Sequence, residues 1–318
     1  MNKETSLYYS YADYLREQYG QKVYKLPVNL PVTCPNRASG EGCSFCAGKG
    51  TGFEACGPDV SVADQLRQTR EKIEKRYKAH KFIAYFQNYT NTFLPLSRLL
   101  SYMEEAAGVE DVVEIAISTR PDCISDAYLE ALAGFREEHG IRICLEYGLQ
   151  TVNYHTLKKI RRGHGLAEFI DAVLRTDRWQ LPVCAHMILN LPGDSMEDVE
   201  ESARILSALP LKMVKVHSLY IPEDSPMAGD YLMGKLAICS KEEYLERLAA
   251  FIALLRPDIV VERLFSRIPE EDAVFCNWGC SWWKLMDEWT DLMTRKGLRQ
   301  GSLCAYLNGP ALKRMDKE

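Results

Sequence analysis

Short runs of β-branched and aromatic residues alternate along this chain with longer amphipathic runs. That alternation limits the fold more than any other feature. The strand-like runs are VYKLPVNL (23–30), FIAYFQ (82–87), VVEIAIS (112–118), IRICLEYGL (141–149), VCAHMIL (183–189) and MVKVHSLY (213–220). Helical patterns occupy 61–80, 96–107, 125–139, 153–161, 166–177 and 195–208, with start signals at Ser125 and at Ser195, whose partner in a capping box is Asp198. Strand and helix in steady succession imply a parallel sheet with helices outside, either an open doubly wound sheet or a partial (β/α)6 TIM-type barrel. After about residue 222 the rhythm changes. A helix over 240–257 opens on Ser240 and Glu243, a strand follows at DIVVERLF (258–265), and an amphipathic helix covers 281–297. We read 1–222 as the barrel with an N-terminal helical lead-in, and 223–318 as a C-terminal α/β extension packed on it.

In both architectures function gathers where the strands end, and here those ends are polar. TCPNRASGEGCSFC (33–46) follows the first strand, QNYTNT (87–92) the second and STRPD (118–122) the third. EYGLQ (146–150) closes the fourth strand, NLPGD (190–194) follows the fifth, and His217, Ser218 and Tyr220 end the sixth.

The first of these loops carries Cys34, Cys43 and Cys46, spaced C-x8-C-x2-C, with hardly an apolar residue between them. A structural zinc site wants four closed ligands; only one C-x2-C pair is present, with Cys56 as a distant fourth candidate. A [4Fe–4S] cluster held by three thiolates keeps one iron open for an external ligand, which suits catalysis. Phe45, just before the third cysteine, can shield one side of a molecule bound there. Eleven cysteines in 318 residues, with no apolar h-region near the N-terminus, point to thiols used for metal or left as packing in a reducing, cytoplasmic setting.

The trio, the aromatic before its last cysteine and the β/α series that follows resemble the radical S-adenosylmethionine (SAM) superfamily. STRPDC (118–123), EYGLQTVNYHTLKKIRRGH (146–164) and HMILNLPGD (186–194) are similar to segments of the radical SAM domain of the Elongator catalytic subunit. AYFQNYTNTF (84–93) and VKVHSLYIPEDSPMA (214–228) resemble the compact YhcC-type branch. The resemblance implies that Cys34, Cys43 and Cys46 ligate three irons and that SAM binds the fourth. It also implies reductive cleavage of SAM, with electrons from an external donor, to methionine and a 5′-deoxyadenosyl radical that takes a hydrogen atom from the substrate. Gln87, Asn88, Tyr89 and Thr90 stand where many members carry a Gly-Gly turn, and are expected to line the methionine moiety. Ser118, Arg120, Glu146, Gln150 and Arg162 complete the expected cofactor contacts, with Glu146 and Gln150 suited to ribose hydroxyls or the methionine amine. Arg120, His164, His217 and Tyr220 are expected to face substrate.

Bland readings stand beside these. Arg120 can pair with Asp122, Gln150 can cap its own backbone, and Lys158 and Lys159 can be a solvated helix end. Cys276 and Cys280 read as buried thiols, and the stripe from Trp282 through Met293 as core. A net charge of −5 argues against non-specific coating of nucleic acid but permits a local basic patch. The Elongator-like segments imply tRNA as substrate, at the C5 side chain of a wobble uridine, for example conversion of carboxymethylaminomethyluridine to aminomethyluridine. A radical reaction on a small molecule and a zinc-stapled binding module are the alternatives. No run is long and apolar enough to suggest a membrane partner.

Overall fold

The computed structural model describes residues 6–40, 42–48, 55–267 and 272–312. Helix α1 (Tyr11–Tyr19) precedes strand β1 (Val23–Val28), and the four-residue α2 (Pro35–Ala38) lies in the cysteine loop. There follow α3 (Val62–Tyr77), β2 (Lys81–Phe86), α4 (Leu96–Ala107), β3 (Val112–Thr119), α5 (Asp126–His139) and β4 (Arg142–Gln150). Next come α6 (Tyr154–Lys159), α7 (Leu166–Arg178), β5 (Val183–Ile188), α8 (Met196–Ala208) and β6 (Met213–His217). The remainder is β7 (Tyr220–Pro222), α9 (Pro226–Leu232), α10 (Lys241–Leu254), β8 (Val260–Arg263), β9 (Ala273–Cys276) and α11 (Trp282–Arg295).

The main sheet runs in the order β1-β2-β3-β4-β5-β6-β8 with every pairing parallel, and it curls into a half-barrel. The partial barrel expected from the alternation is therefore present, with one more strand than the six predicted. DIVVERLF, assigned to the extension, supplies that seventh strand through β8, which pairs with β6, while α10 packs against α8. A second difference lies at MVKVHSLY. The ladder ends at His217, and Tyr220 belongs to a separate antiparallel pair with β9. Local hydrogen bonds turn the chain out of the sheet, since Leu219 N–H donates to Asn190 Oδ1 and the Ser266 hydroxyl donates to the Ser218 carbonyl.

Strand residues alternate between two environments, as a two-residue period requires. One face, with Leu26, Val28, Phe86, Ile115, Ile117, Leu145, Val216 and Val261, packs against the helices as the main core. The concave face is layered. At its floor Val23, Ile83, Ala116, Cys144, Cys184, Met213 and Val260 pack with Tyr14 and Leu15 of α1, so Cys144 and Cys184 are packing, as read from sequence. Polar contacts fix α1 in place: Tyr19 donates to Glu114 at 2.9 Å and Arg142 to the Tyr14 hydroxyl at 2.6 Å.

Above the floor lies a charged layer. Lys25 of β1 is bonded to Glu146 of β4 and, at 2.6 Å, to Glu262 of β8; Lys215 of β6 reaches Glu262 at 2.9 Å and Glu146 at 3.3 Å. Two ammonium and two carboxylate groups cancel in formal charge, and both lysines also lie over the Tyr85 ring. Lys25 and Glu262 join the two terminal strands of the sheet across the barrel. Removing one member of a buried ion network leaves its partner charged and unpaired. Glu262→Gln is expected to lower the unfolding free energy by roughly 3–5 kcal/mol, and the double change Lys25→Met/Glu262→Leu by less than the sum of the two single changes. Urea unfolding of all variants checks this.

Candidate active site

The rim above the charged layer is where the strand ends converge, and the cysteine loop folds over it. Pro35 opens α2, the Arg37 and Ala38 amides bond the Cys34 carbonyl at 2.9 Å, and Cys46 N–H returns to the Cys43 carbonyl at 3.1 Å. Both flanks of Phe45 are anchored. Ser44 N–H donates to Ile160 after α6, and Met227 N–H of α9 donates to the Ser44 carbonyl at 2.8 Å. Phe45 itself packs beside an apolar cluster that includes Leu157, Ile188, Leu219, Ile221, Met227 and Phe275. The β7–β9 pair and α9 thus brace the loop from the C-terminal side, where the Asp224 carboxylate accepts from Gly48 N–H at 2.7 Å.

Three side chains aim N–H groups at the sulfurs. Asn36 Nδ2 lies 3.3 Å and Arg162 Nη1 3.7 Å from Cys43 Sγ, while Arg120 Nη1 is 3.9 Å from Cys34 Sγ. Asn36 is the hub. Its Oδ1 accepts from Arg120, and its amide also donates to the carbonyls of Arg161 and Arg162. A hydrogen bond with Cys46, the Arg162 charge and the Asn36 amide hold the Cys43 thiol well below its usual range, against the effect of burial. The same hydrogen bond, burial and the Cys43 charge raise Cys46. Cys56 is engaged elsewhere, its thiol 3.7 Å from Gln68 Oε1.

The profile of the radical SAM superfamily matches residues 28–206, and that of the radical SAM C-terminal domain matches 211–295. This chain belongs to the radical SAM superfamily. The radical SAM chain is 30% identical to YtqA of Bacillus subtilis over 92% of its length and 92% of the relative's. Identity to YhcC of Escherichia coli is also 30%, over 91% of this chain and 93% of that one. Among solved structures, Elp3 of the archaeon Methanocaldococcus infernus superposes with a TM-score of 0.65 at 18% identity, over 87% of this chain and 64% of that chain.

Radical SAM enzymes use a [4Fe–4S] cluster and SAM, and need an electron donor. The donor set fits such a cluster: three thiols in one loop, two of their sulfurs receiving N–H groups from Asn36, Arg120 and Arg162. Hydrogen bonds of this kind stabilise sulfur anions and orient the ligands.

Several residues expected at the site are brought to the rim. Asn88 and Thr90 are buried in the turn after β2, and Asn88 donates to Asn29 at 3.1 Å. The Gln87 amide bonds the Val28 carbonyl, and the Tyr89 hydroxyl reaches the Gly48 carbonyl at 2.8 Å. Asn88 and Tyr89, with Asn29 to Thr33 and Pro58, line a cavity of about 460 Å³ beside the cysteine loop. Ser118 is buried against the Tyr85 hydroxyl. Gln150 stands at a positive φ of 82° at the end of β4.

Other residues have partners that change their reading. Arg120 holds Asp122 through two bonds of 2.9 and 2.6 Å, as its alternative reading allowed, and still reaches Asn36 and Cys34. Glu146 was expected at SAM. Instead it lies one layer deeper, fully buried, with its oxygens taken by Lys25, Lys215 and His186. The ring nitrogens of His164 lie 3.1 Å from the Gly148 carbonyl and 3.2 Å from the Gly165 carbonyl. The ring is kept neutral, pushed down to about 3 by burial and by Arg162, and so donates to only one of them. Burial lowers His186 as well, and burial with Arg263 lowers His217; these two rings lie 5.4 Å apart. Cys276 and Cys280 are half-exposed rather than buried. Leu285, Trp289 and Met293 are core, whereas Trp282 sits at the surface beneath Arg267.

Sequence reasoning missed Asn36, Lys25, His186, Lys215 and Glu262. For the last four the available signal was a charged or polar residue inside an otherwise apolar strand; for Asn36 it was its place between Cys34 and Cys43.

Gly163 has a φ of 80°, and a Cβ there would collide with Asn36 Oδ1 and lie 3.0 Å from Arg120 Nη2. Gly163→Ala is expected to cost about 1–3 kcal/mol of stability and to lower the iron retained per chain, measured by urea unfolding and iron assay. Neutral buried His164 disfavours protonation in the folded state. Its contribution is complete above the ordinary value of 6.5 and is lost as pH falls from there toward about 3. Unfolding midpoints should therefore decline between pH 7 and pH 5, with a shallower decline in His164→Asn.

Proposed function

We propose that this radical SAM enzyme modifies tRNA, acting on the C5 side chain of a wobble uridine, for example by removing the carboxymethyl part of a carboxymethylaminomethyl group. The observation that carries this reading is the surface of α6. That helix is tied directly to the cysteine loop through the Ser44–Ile160 hydrogen bond, and it exposes Tyr154, His155, Lys158 and Lys159. No acidic residue occurs from Thr151 to His164. A stackable ring and two ammonium groups beside a radical site suit a single-stranded RNA loop, which is held by phosphate contacts and aromatic stacking. The Elongator-like segments support the same substrate class.

When bound, the cluster and SAM supply one-electron cleavage of a sulfonium and hydrogen-atom abstraction. In this reading the chain's residues hold and shield. Cys34, Cys43 and Cys46 ligate the cluster, Arg120 and Arg162 balance its charge, and Phe45 covers one side of it. Gln87 to Thr90 with Ser118 and Gln150 line the SAM site, while His164, His217 and Tyr220 face the substrate.

Cys43→Ala should abolish reductant-dependent 5′-deoxyadenosine formation; product at the wild-type level would remove Cys43 from the ligand set. Lys158→Glu/Lys159→Glu should weaken tRNA binding at least tenfold at low salt and reduce its salt dependence. Nucleoside mass spectrometry of tRNA from a deletion strain should show the unprocessed side chain accumulating, and an unchanged set of modified uridines would sink the tRNA reading.

A further inference from the structure

Around the concave face, nearly every cation has a named partner. Lys25 and Lys215 are matched by Glu146 and Glu262, Arg142 lies 3.6 Å from Glu114, Arg120 holds Asp122, and Arg162 faces the Cys43 thiol. Arg263 is the exception: its backbone pairs with β6, but among the described residues its guanidinium has no hydrogen-bond or ion-pair partner. It is half-buried at the end of β8. A register shift against β6 sets it level with Lys215, two residues below His217. Its charge reaches both His217 and Tyr220, and Tyr220 in turn feels Cys46. A guanidinium with no counter-charge among the described residues therefore stands near the neutral imidazole of His217, whose ring lies 5.4 Å from that of His186, on the side of the barrel mouth toward the cysteine loop. A monoanion from outside would supply the missing charge, and a carboxylate matches the guanidinium fork.

We propose that Arg263 is the specificity residue of this enzyme, binding the carboxylate at the end of the substrate side chain, with His217 and Tyr220 beside it. The inference rests on the tRNA reading above for the identity of the side chain, but its chemistry requires only a carboxylate-bearing substrate. The carboxylate of SAM is the competing source of the same chemistry.

Three arms test it on the reconstituted holoenzyme. In the first, fluorescence anisotropy compares an anticodon stem-loop bearing the 5-carboxymethylaminomethyl group with its neutral carboxamide. Wild type should prefer the acid about tenfold, Arg263→Ala should lose the preference while keeping its affinity for the amide, and Arg263→Lys should retain part of it. No preference in wild type, or one unchanged in Arg263→Ala, overturns the assignment. The second arm measures SAM affinity, which should be the same in wild type and Arg263→Ala; a tenfold loss would assign Arg263 to the cofactor and overturn the proposal. If neither stem-loop binds, the RNA reading fails by itself. The third arm, the free modified nucleoside against its carboxamide, then decides Arg263: an acid preference lost in Arg263→Ala upholds it, and equal binding overturns it.

Discussion

A seven-stranded parallel sheet curled into a half-barrel has two free edges and an open concave face, and both must be satisfied from within the chain. The pair between Lys25 on the first strand and Glu262 on the last does this at the centre. It spans the gap that an eighth strand would fill in a closed barrel. Around it, the edge of β8 is covered by the N-terminal segment, where Val261 N–H bonds the Tyr9 carbonyl and Ser10 bridges Val261. Helix α1 then fills the floor with Tyr14 and Leu15. Because each charge in the middle layer is bonded to two or more opposite groups, the layer can be buried at all. It also separates an apolar floor from a polar rim.

That separation positions the site. The rim receives the cysteine loop, and the loop is held by contacts from widely spaced parts of the chain: Arg120 after β3, Arg162 after α6, and Met227 and Asp224 after β7. Asn36 connects the first two of these to the sulfur of Cys43. The close approach is possible because Gly148 and Gly163 lack side chains. A Cβ on Gly148 would lie 2.6 Å from Arg162 Nη2 and 2.7 Å from Gln150 Nε2. The glycines of EYGLQ and RRGH are thus steric requirements of one shared cradle.

Much of this was legible in the sequence because it is local. Alternating β-branched runs marked six strands to within a few residues, and the capping box of Ser195 and Asp198 formed as read. At Ser240 only half the box formed, because the Glu243 carboxylate turns to Arg247. What escaped was non-local. DIVVERLF gave a clear strand signal, but nothing in its own composition said that it pairs with β6 rather than within an extension. Lys25, Lys215 and Glu262 looked like the polar half of a strand pattern; only closure of the barrel turns those positions inward toward one another. Glu146 carried a motif that suggested cofactor contact, and the lysines that occupy it come from strands more than sixty residues away in either direction. Asn36 was hidden by its neighbours, since a loop of Pro, Asn, Gly and Ser reads as a turn until Arg120 is seen to reach it.

The central claim is that three thiolates from one loop hold an iron–sulfur cluster with one iron left for SAM. Protein purified without oxygen should contain four irons and four acid-labile sulfides per chain. The electron paramagnetic resonance signal of its reduced cluster should change when SAM is added. Zinc without labile sulfide, or a cluster signal that SAM leaves unmoved, would contradict the account.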